Sequence, residues 1–190
     1  MKRILVCLMV VLLTGTLSFA IEAEDVKLPL TMKSGNTDLV LNGQGIRTKK
    51  IVVVTIKAYV GGLYLKNKSS NAQEIINADE PMALKLFIAS NLISSKVMTD
   101  ATNEGFEKAT NGNTAPIRSE IDKMLEIFAD KIKPEDVYDL VYVPGSGMEI
   151  YKNGKKSATV AGLEFKKALF GIWLGDNCVL ESLKQGMLGL

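Results

Sequence analysis

Strand-like segments come first, helix-like segments follow, and the same order of blocks then repeats. This predicts an α+β fold, a mostly antiparallel sheet with helices on one face. Three observations carry the prediction. The β-rich stretch from Ile51 to Leu65 is long, the dipeptide Asn153-Gly154 is a strong hairpin signal, and the segments with helical spacing come in blocks instead of alternating one by one with strands. A lipocalin-type barrel fits less well, because three or four helical segments are too many for it.

Along the chain, Val26 to Met32 is mildly apolar and extended, and Pro29 marks it as an edge strand. Ser34-Gly35-Asn36 reads as a turn. Leu39 to Leu41 then opens a strand that runs to Asn42-Gly43-Gln44-Gly45. Within the Ile51 to Leu65 run, Gly61-Gly62 signals a bulge or a close backbone approach. Ser70-x-x-Gln73 reads as the capping box of a short helix through Ile75 and Ile76. Pro81 to Ser90 has the continuous apolar character of a buried strand, and Ser94 caps a helix that closes before Asn111-Gly112. Ile117, Ile121, Met124, Leu125, Phe128 and Ile132 recur at helical spacing, with Thr114 as cap, Pro116 in the first turn and Pro134 as the stop. Val137 to Val143 is a strand, and Met148 to Tyr151 and Ser157 to Val160 flank the Asn153-Gly154 turn. Gly162 precedes a helix from Leu163 to Trp173, Gly175-Asp176 breaks it, and Val179 to Met187 forms the last helix.

The N-terminal end has a different composition. Lys2 and Arg3 precede an apolar run of about ten residues, Ile4 to Leu13, and small residues follow it to Ser18-Phe19-Ala20. This is the three-part pattern of a secretory signal peptide with cleavage after Ala20. The apolar run is shorter than the roughly 20 residues that span a bilayer. Residues 1–20 are therefore expected to be removed, leaving 21–190 as one domain that is periplasmic or secreted. Cys7 lies inside the apolar run, away from the cleavage point, so no lipid or other stable membrane anchor is expected.

Without Lys2 and Arg3, the 23 basic residues become 21, against 21 acidic ones. No basic stripe interleaved with aromatics is present, so nucleic acid is not an expected partner. The chain has no histidine. Serine–histidine and cysteine–histidine catalysis are excluded, as are histidine metal sites. The acidic pairs Asp79-Glu80 and Glu135-Asp136 read as solvated turns, and no metal or cofactor is expected. Cys178 has no cysteine beyond residue 20 to pair with, and reads as a small apolar residue at a helix start.

Two side chains stand out as candidate ligand-binding groups. Beyond residue 20, Arg47 and Arg118 are the only arginines in a chain that otherwise uses lysine. An arginine supplies a planar fork of donors and a permanent charge, which suit a carboxylate or an enolate-like oxygen. Arg118 falls in the first turn of an amphipathic helix and reads as a solvated surface residue. Arg47 ends Gly43-Gln44-Gly45-Ile46-Arg47, where a strand follows, so a dinucleotide-binding turn is rejected. Tyr59 sits on the next strand-like segment, where a hydroxyl could donate to an anion that an arginine already holds. Tyr64, five positions on, points to the opposite face of an unbroken strand.

Asn42-Gly43-Gln44-Gly45-Ile46-Arg47, followed by Tyr59-Val60-Gly61-Gly62-Leu63-Tyr64-Leu65, resembles the opening of the chalcone isomerase-like family. Leu84 to Ser90 with Ser94-Ser95-Lys96-Val97 resembles its strand-to-helix step, and Phe165 to Gly175 with Leu180 to Gly189 resembles its helical end. The resemblance implies an open-faced sandwich: a long curved antiparallel sheet covered by a layer of helices, with a cleft between them. It also implies one of two activities. Isomerases of the family cyclise a chalcone to a flavanone, using the arginine with a supporting threonine, tyrosine and asparagine. Non-catalytic relatives hold a fatty-acid carboxylate with the same arginine and a strand tyrosine. Arg47 matches the arginine in both branches, and Tyr59 matches the binders' tyrosine. Ile93 stands at the position of the isomerase tyrosine and Asp100 at that of the asparagine. The expectation is a non-catalytic protein that binds a fatty acid or similar apolar carboxylate through Arg47 and Tyr59. The alternative is an isomerase in which Arg47 is the catalytic group.

Export is checked by mass measurement of the protein recovered outside the cytoplasm. The expected product begins at Ile21 and carries no lipid; an intact Met1 would contradict the signal-peptide reading.

Overall fold

Seven strands pair in sequence order, each antiparallel to its neighbours: β1 (Thr31–Ser34), β2 (Thr37–Ile51), β3 (Val54–Leu65), β4 (Met82–Ile88), β5 (Val137–Val143), β6 (Gly147–Lys152) and β7 (Lys155–Val160). This computed structural model describes residues 24–51 and 53–190, so the signal peptide expected at residues 1–20 lies outside the described residues. Helix α1 (Ala72–Asn77) joins β3 to β4. Helix α2 (Ser95–Ala109), a short 3-10 turn at Ala115–Ile117 and α3 (Arg118–Glu126) join β4 to β5. Helices α4 (Leu163–Leu174) and α5 (Glu181–Leu188) follow β7. The expected curved antiparallel sheet with a helical layer is the architecture found.

The main core lies between this layer and one face of the sheet. Leu63, Leu84, Leu140 and Ile150 from four adjacent strands meet Phe106, Ile121, Phe165 and Leu169 from the helices. On the opposite face the N-terminal segment and β1 fold back over the strands. Val26 and Leu28 pack on Val60, Tyr64 donates to the Pro29 carbonyl at 2.8 Å, and Ser34 Oγ donates to the Tyr142 carbonyl at 2.5 Å. Pro29 thus precedes the edge strand instead of lying in it.

One contact between the layers fixes the position of β2. Alternate residues Gly43, Gly45, Arg47 and Lys49 share the face toward the helices. A Cβ on Gly43 would lie 2.2 Å from the Gly186 carbonyl oxygen, and one on Gly45 would lie 3.1 Å from a Leu183 methyl. The two glycines therefore let α5 rest on the strand backbone. Arg47 is the next residue on that face, beyond the contact with α5. At Gly61-Gly62 the ladder is regular, with no bulge. The glycines there serve close approach, because Cβ atoms on them would come within 2.5 Å of Met187 Cε and 2.4 Å of Leu28 Cδ1.

Several local expectations differ from what is found. The Ile51 to Leu65 run is not one strand: the chain reverses between Ile51 and Val54, which pair. Helix α1 is capped by Asn71, whose side chain accepts from Glu74 N at 3.2 Å, and not by Ser70. Thr114 makes no capping bond, and α3 stops at Glu126, well before Pro134. Beyond it, Ile127, Phe128 and Ala129 donate three residues back, so the helical winding tightens while Phe128 and Ile132 stay buried. The apolar spacing persists although the α-helical bonding ends. The last helix begins at Glu181, not at Val179. Asp136 is not a solvated turn residue. It is buried, accepts from Lys133 N and Asn153 Nδ2, and is held below the usual carboxylate range by those bonds and by Lys152, against the effect of burial.

Lys166 also departs from its sequence context. It is fully buried, and Nζ donates to the carbonyls of Ile75, Ile76 and Ala78, the groups left open at the end of α1. Burial pushes its ammonium down to about 8.

Gly43→Ala places a methyl against backbone that has no rotamer to yield. It should cost about 1–3 kcal/mol. In urea the unfolding midpoint should fall with the slope unchanged; an unchanged midpoint would contradict the close approach of α5.

Candidate functional site

The cavity lies where the α5 contact ends, between the sheet and α2, α3 and α4. Its floor is set by the pairing of β2 with β3, in which Arg47 stands opposite Tyr59 and Thr48 opposite Lys57. Ala58 is thus the extra residue of a bulge. The bulge lets Ala58 and Tyr59, neighbours in sequence, both line the cavity. Its volume is about 210 Å³.

The walls are mainly apolar. Leu86 comes from β4, Met98 and Ala101 from α2, Met124 from α3, and Ile172 from α4. The polar groups in the lining are Arg47 and Lys49 from β2, Tyr59 from β3, and Thr102, Glu104 and Lys108 from α2. This is the usual composition of a small-molecule site, apolar with a few placed polar groups.

Arg47 Nη1 donates to the Thr48 carbonyl at 2.6 Å, which holds the guanidinium beside its own strand. Among the described residues no carboxylate lies within 4.0 Å of it. The Tyr59 hydroxyl accepts from Trp173 Nε1 at 2.9 Å. Tyr59 is only 9% exposed, and burial raises its phenol above the ordinary value, opposed by the Trp173 bond and by the positive charge of Arg47. Tyr59 is therefore a neutral phenol at physiological pH. Its oxygen accepts from the indole, and its O–H stays available as a donor. A cation and a phenol thus stand side by side at the edge of an apolar space, the chemistry that suits an anion.

Arg47 and Tyr59, the two binding residues read from the sequence, are thus brought together. Ile93 does line the cavity and offers no donor. Asp100 does not line it; it pairs with Lys96 at 2.7 Å on the outside of α2. Tyr64 is on the opposite face of the sheet, as the alternation requires. Arg118 is a surface residue paired with Asp122 through a 2.9 Å bond from Nε. Cys178 is half-buried and lies 3.6 Å from a Glu181 oxygen; burial and that carboxylate push its thiol up, so it is not a poised thiolate. Sequence reasoning missed Trp173, Thr102 and Lys49. Trp173 is the only tryptophan in the chain, which was the one available signal. Lys49 is two residues beyond Arg47 on the same strand, a spacing that already implied a shared face.

Residues 20–189 match the family model described as chalcone isomerase-like. No sequence among the curated proteins matches the chain. Among solved structures, a fatty-acid binding protein from Arabidopsis thaliana is similar, with a TM-score of 0.69 at 15% sequence identity, over 85% of this chain and 90% of that one. At that identity the similarity is one of fold.

All five tyrosines have raised phenol values, Tyr142 and Tyr151 to about 12. A phenol raised in the folded state stabilises it below the unfolded value of about 10, and that contribution is lost as pH climbs through the folded value. Absorbance near 295 nm should accordingly show no tyrosinate step around pH 10 in native protein, and a full step there in urea. A native step near 10 would contradict the burial that raises Tyr59, Tyr64, Tyr138 and Tyr142 and the Glu149 bond that raises Tyr151.

Proposed function

The chain belongs to the chalcone isomerase-like family, and we propose that within it this protein binds an apolar carboxylate without converting it. The single observation that carries this reading is the pairing of Arg47, which has no carboxylate partner among the described residues, with the Tyr59 hydroxyl at the edge of a mainly apolar cavity. The carboxylate sits against the guanidinium and accepts from Tyr59, while the acyl chain runs between Leu86, Met98, Met124 and Ile172. Each buried methylene adds roughly 0.8 kcal/mol before the entropic cost of binding. The cavity is small against the roughly 300–1,000 Å³ of drug-sized sites, so a medium-length chain fits it best. The name of the Arabidopsis structure supports the same ligand class.

The protein does this work outside the cytoplasm. The N-terminal pattern supports export, and no helix among the described residues is long and apolar enough to cross a membrane.

The isomerase reading is less well supported. Ring closure needs donors around the phenolate and the developing enolate. Ile93 lines the cavity without one, and Asp100 faces away from it. Loss of chalcone absorbance should follow the spontaneous rate in the presence of the protein; a large acceleration that Arg47→Ala abolishes would establish the enzyme instead.

Binding is tested by native mass spectrometry of the exported protein, followed by calorimetry with decanoate and its methyl ester. Charge-assisted hydrogen bonds contribute about 1.5–3 kcal/mol each. Decanoate should therefore bind at least about tenfold more tightly than the ester. Arg47→Ala should remove that preference and Arg47→Lys should not restore it, because a point charge lacks the fork. Tyr59→Phe should cost less. Equal binding of acid and ester to the wild type would refute the headgroup assignment.

A further inference from the structure

The charges around the cavity exceed what one carboxylate needs. Arg47 and Lys49 alternate onto the same face of β2 and both line the cavity, and neither has an ion-pair partner among the described residues. Across from them α2 contributes Glu104 and Lys108, which pair with each other at 2.6 Å. The lining from α3 and α4 and from the rest of β3 and β4 carries no charged side chain. Three cationic groups thus face one carboxylate, and that carboxylate is already matched. Glu104 is held below its ordinary value first by Lys108, then by the fields of Lys49 and Arg47, which places all four groups in one electrostatic neighbourhood.

We propose that the headgroup site is built for two negative charges, Arg47 and Lys49 acting together on one dianionic group, so that the ligand class is an amphiphile with an alkyl chain and a phosphate-monoester-type head. The inference rests on the reading that the cavity binds an anionic headgroup, and it changes which headgroup fits best. A monocarboxylate satisfies Arg47 and leaves Lys49 uncompensated at the edge of an apolar space. A dianionic tetrahedral head presents one pair of oxygens to the guanidinium fork and a third to the lysine ammonium, with Tyr59 donating to the same group. Lys49 is then a specificity residue that reads the second charge.

The test uses the full processed chain and three ten-carbon probes: decyl phosphate, decyl sulfate and decanoate. The sulfate has the same tetrahedral shape with a single charge at every pH used. A phosphate monoester gains its second charge near roughly pH 6. Glu104, the one acid lining the site, has its pKa lowered, and decyl sulfate measured at the same pH values controls for any change in the protein's own charge. Decyl phosphate should gain about tenfold or more in affinity over this range while decyl sulfate does not. Lys49→Gln should remove that gain, and at pH 8 it should weaken decyl phosphate several-fold more than it weakens decanoate. If decanoate binds through Arg47 but phosphate and sulfate behave alike at pH 8, or if Lys49→Gln keeps the gain, the dianion inference is wrong and the carboxylate reading stands. If no probe binds, both are wrong. Circular dichroism of Lys49→Gln separates a lost charge from a lost fold.

Discussion

The hydrogen bond from Trp173 Nε1 to the Tyr59 hydroxyl joins the helical layer to the sheet inside the cavity. A phenol oxygen buried without a partner would cost about 1–3 kcal/mol, and the indole N–H removes that cost while fixing where the phenol proton points. The rest of the site depends on this. With Tyr59 held by α4, its O–H stands beside Arg47 and is available as a donor. The bulge at Ala58 turns it toward the cavity, and the glycines at 43 and 45 bring β2 close enough to α5 for the arginine to follow on the same face. The juxtaposition of Arg47 and Tyr59 is thus produced by backbone approach and by one bond between layers, with few polar side chains involved.

The same features explain why a binding role suits the molecule. A cavity enclosed by Leu86, Met98, Met124 and Ile172 is favourable for an alkyl chain and unfavourable for a hydrated reacting group. A neutral phenol next to a permanent cation stabilises a charge that is already present. Catalysis of ring closure requires further donors that strengthen as charge moves, and Ile93, which lines the cavity, offers none.

Much of the fold was legible because its signals were local. Asn153 and Gly154 both adopt positive φ, as the hairpin dipeptide implies, and Ser94 caps α2 as read. Arg47 was legible from composition, as a rare residue in a lysine-rich chain. Other features were not, for physical reasons. The reversal between Ile51 and Val54 contains no Gly, Pro, Asn or Asp, so only the pairing of the flanking strands reveals it. The burial of Lys166 depends on the end of α1, some ninety residues away in sequence, needing three acceptor groups met. Asp136 looked like a turn residue because its partners, Asn153 and Lys152, lie on another hairpin. The roles of Trp173 and Lys49 likewise arise only when strand, bulge and helix are set against one another.

Because Trp173 is the only tryptophan, its indole N–H gives a single resonance in a clear region of the nitrogen–proton correlation spectrum, and it reports directly on the Tyr59 hydroxyl. Titration with decanoate should move that resonance saturably in the wild type, and the same concentrations should leave it in place in Arg47→Ala. An indole resonance that stays fixed while decanoate saturates the protein and shifts other signals would place the ligand elsewhere and contradict the account.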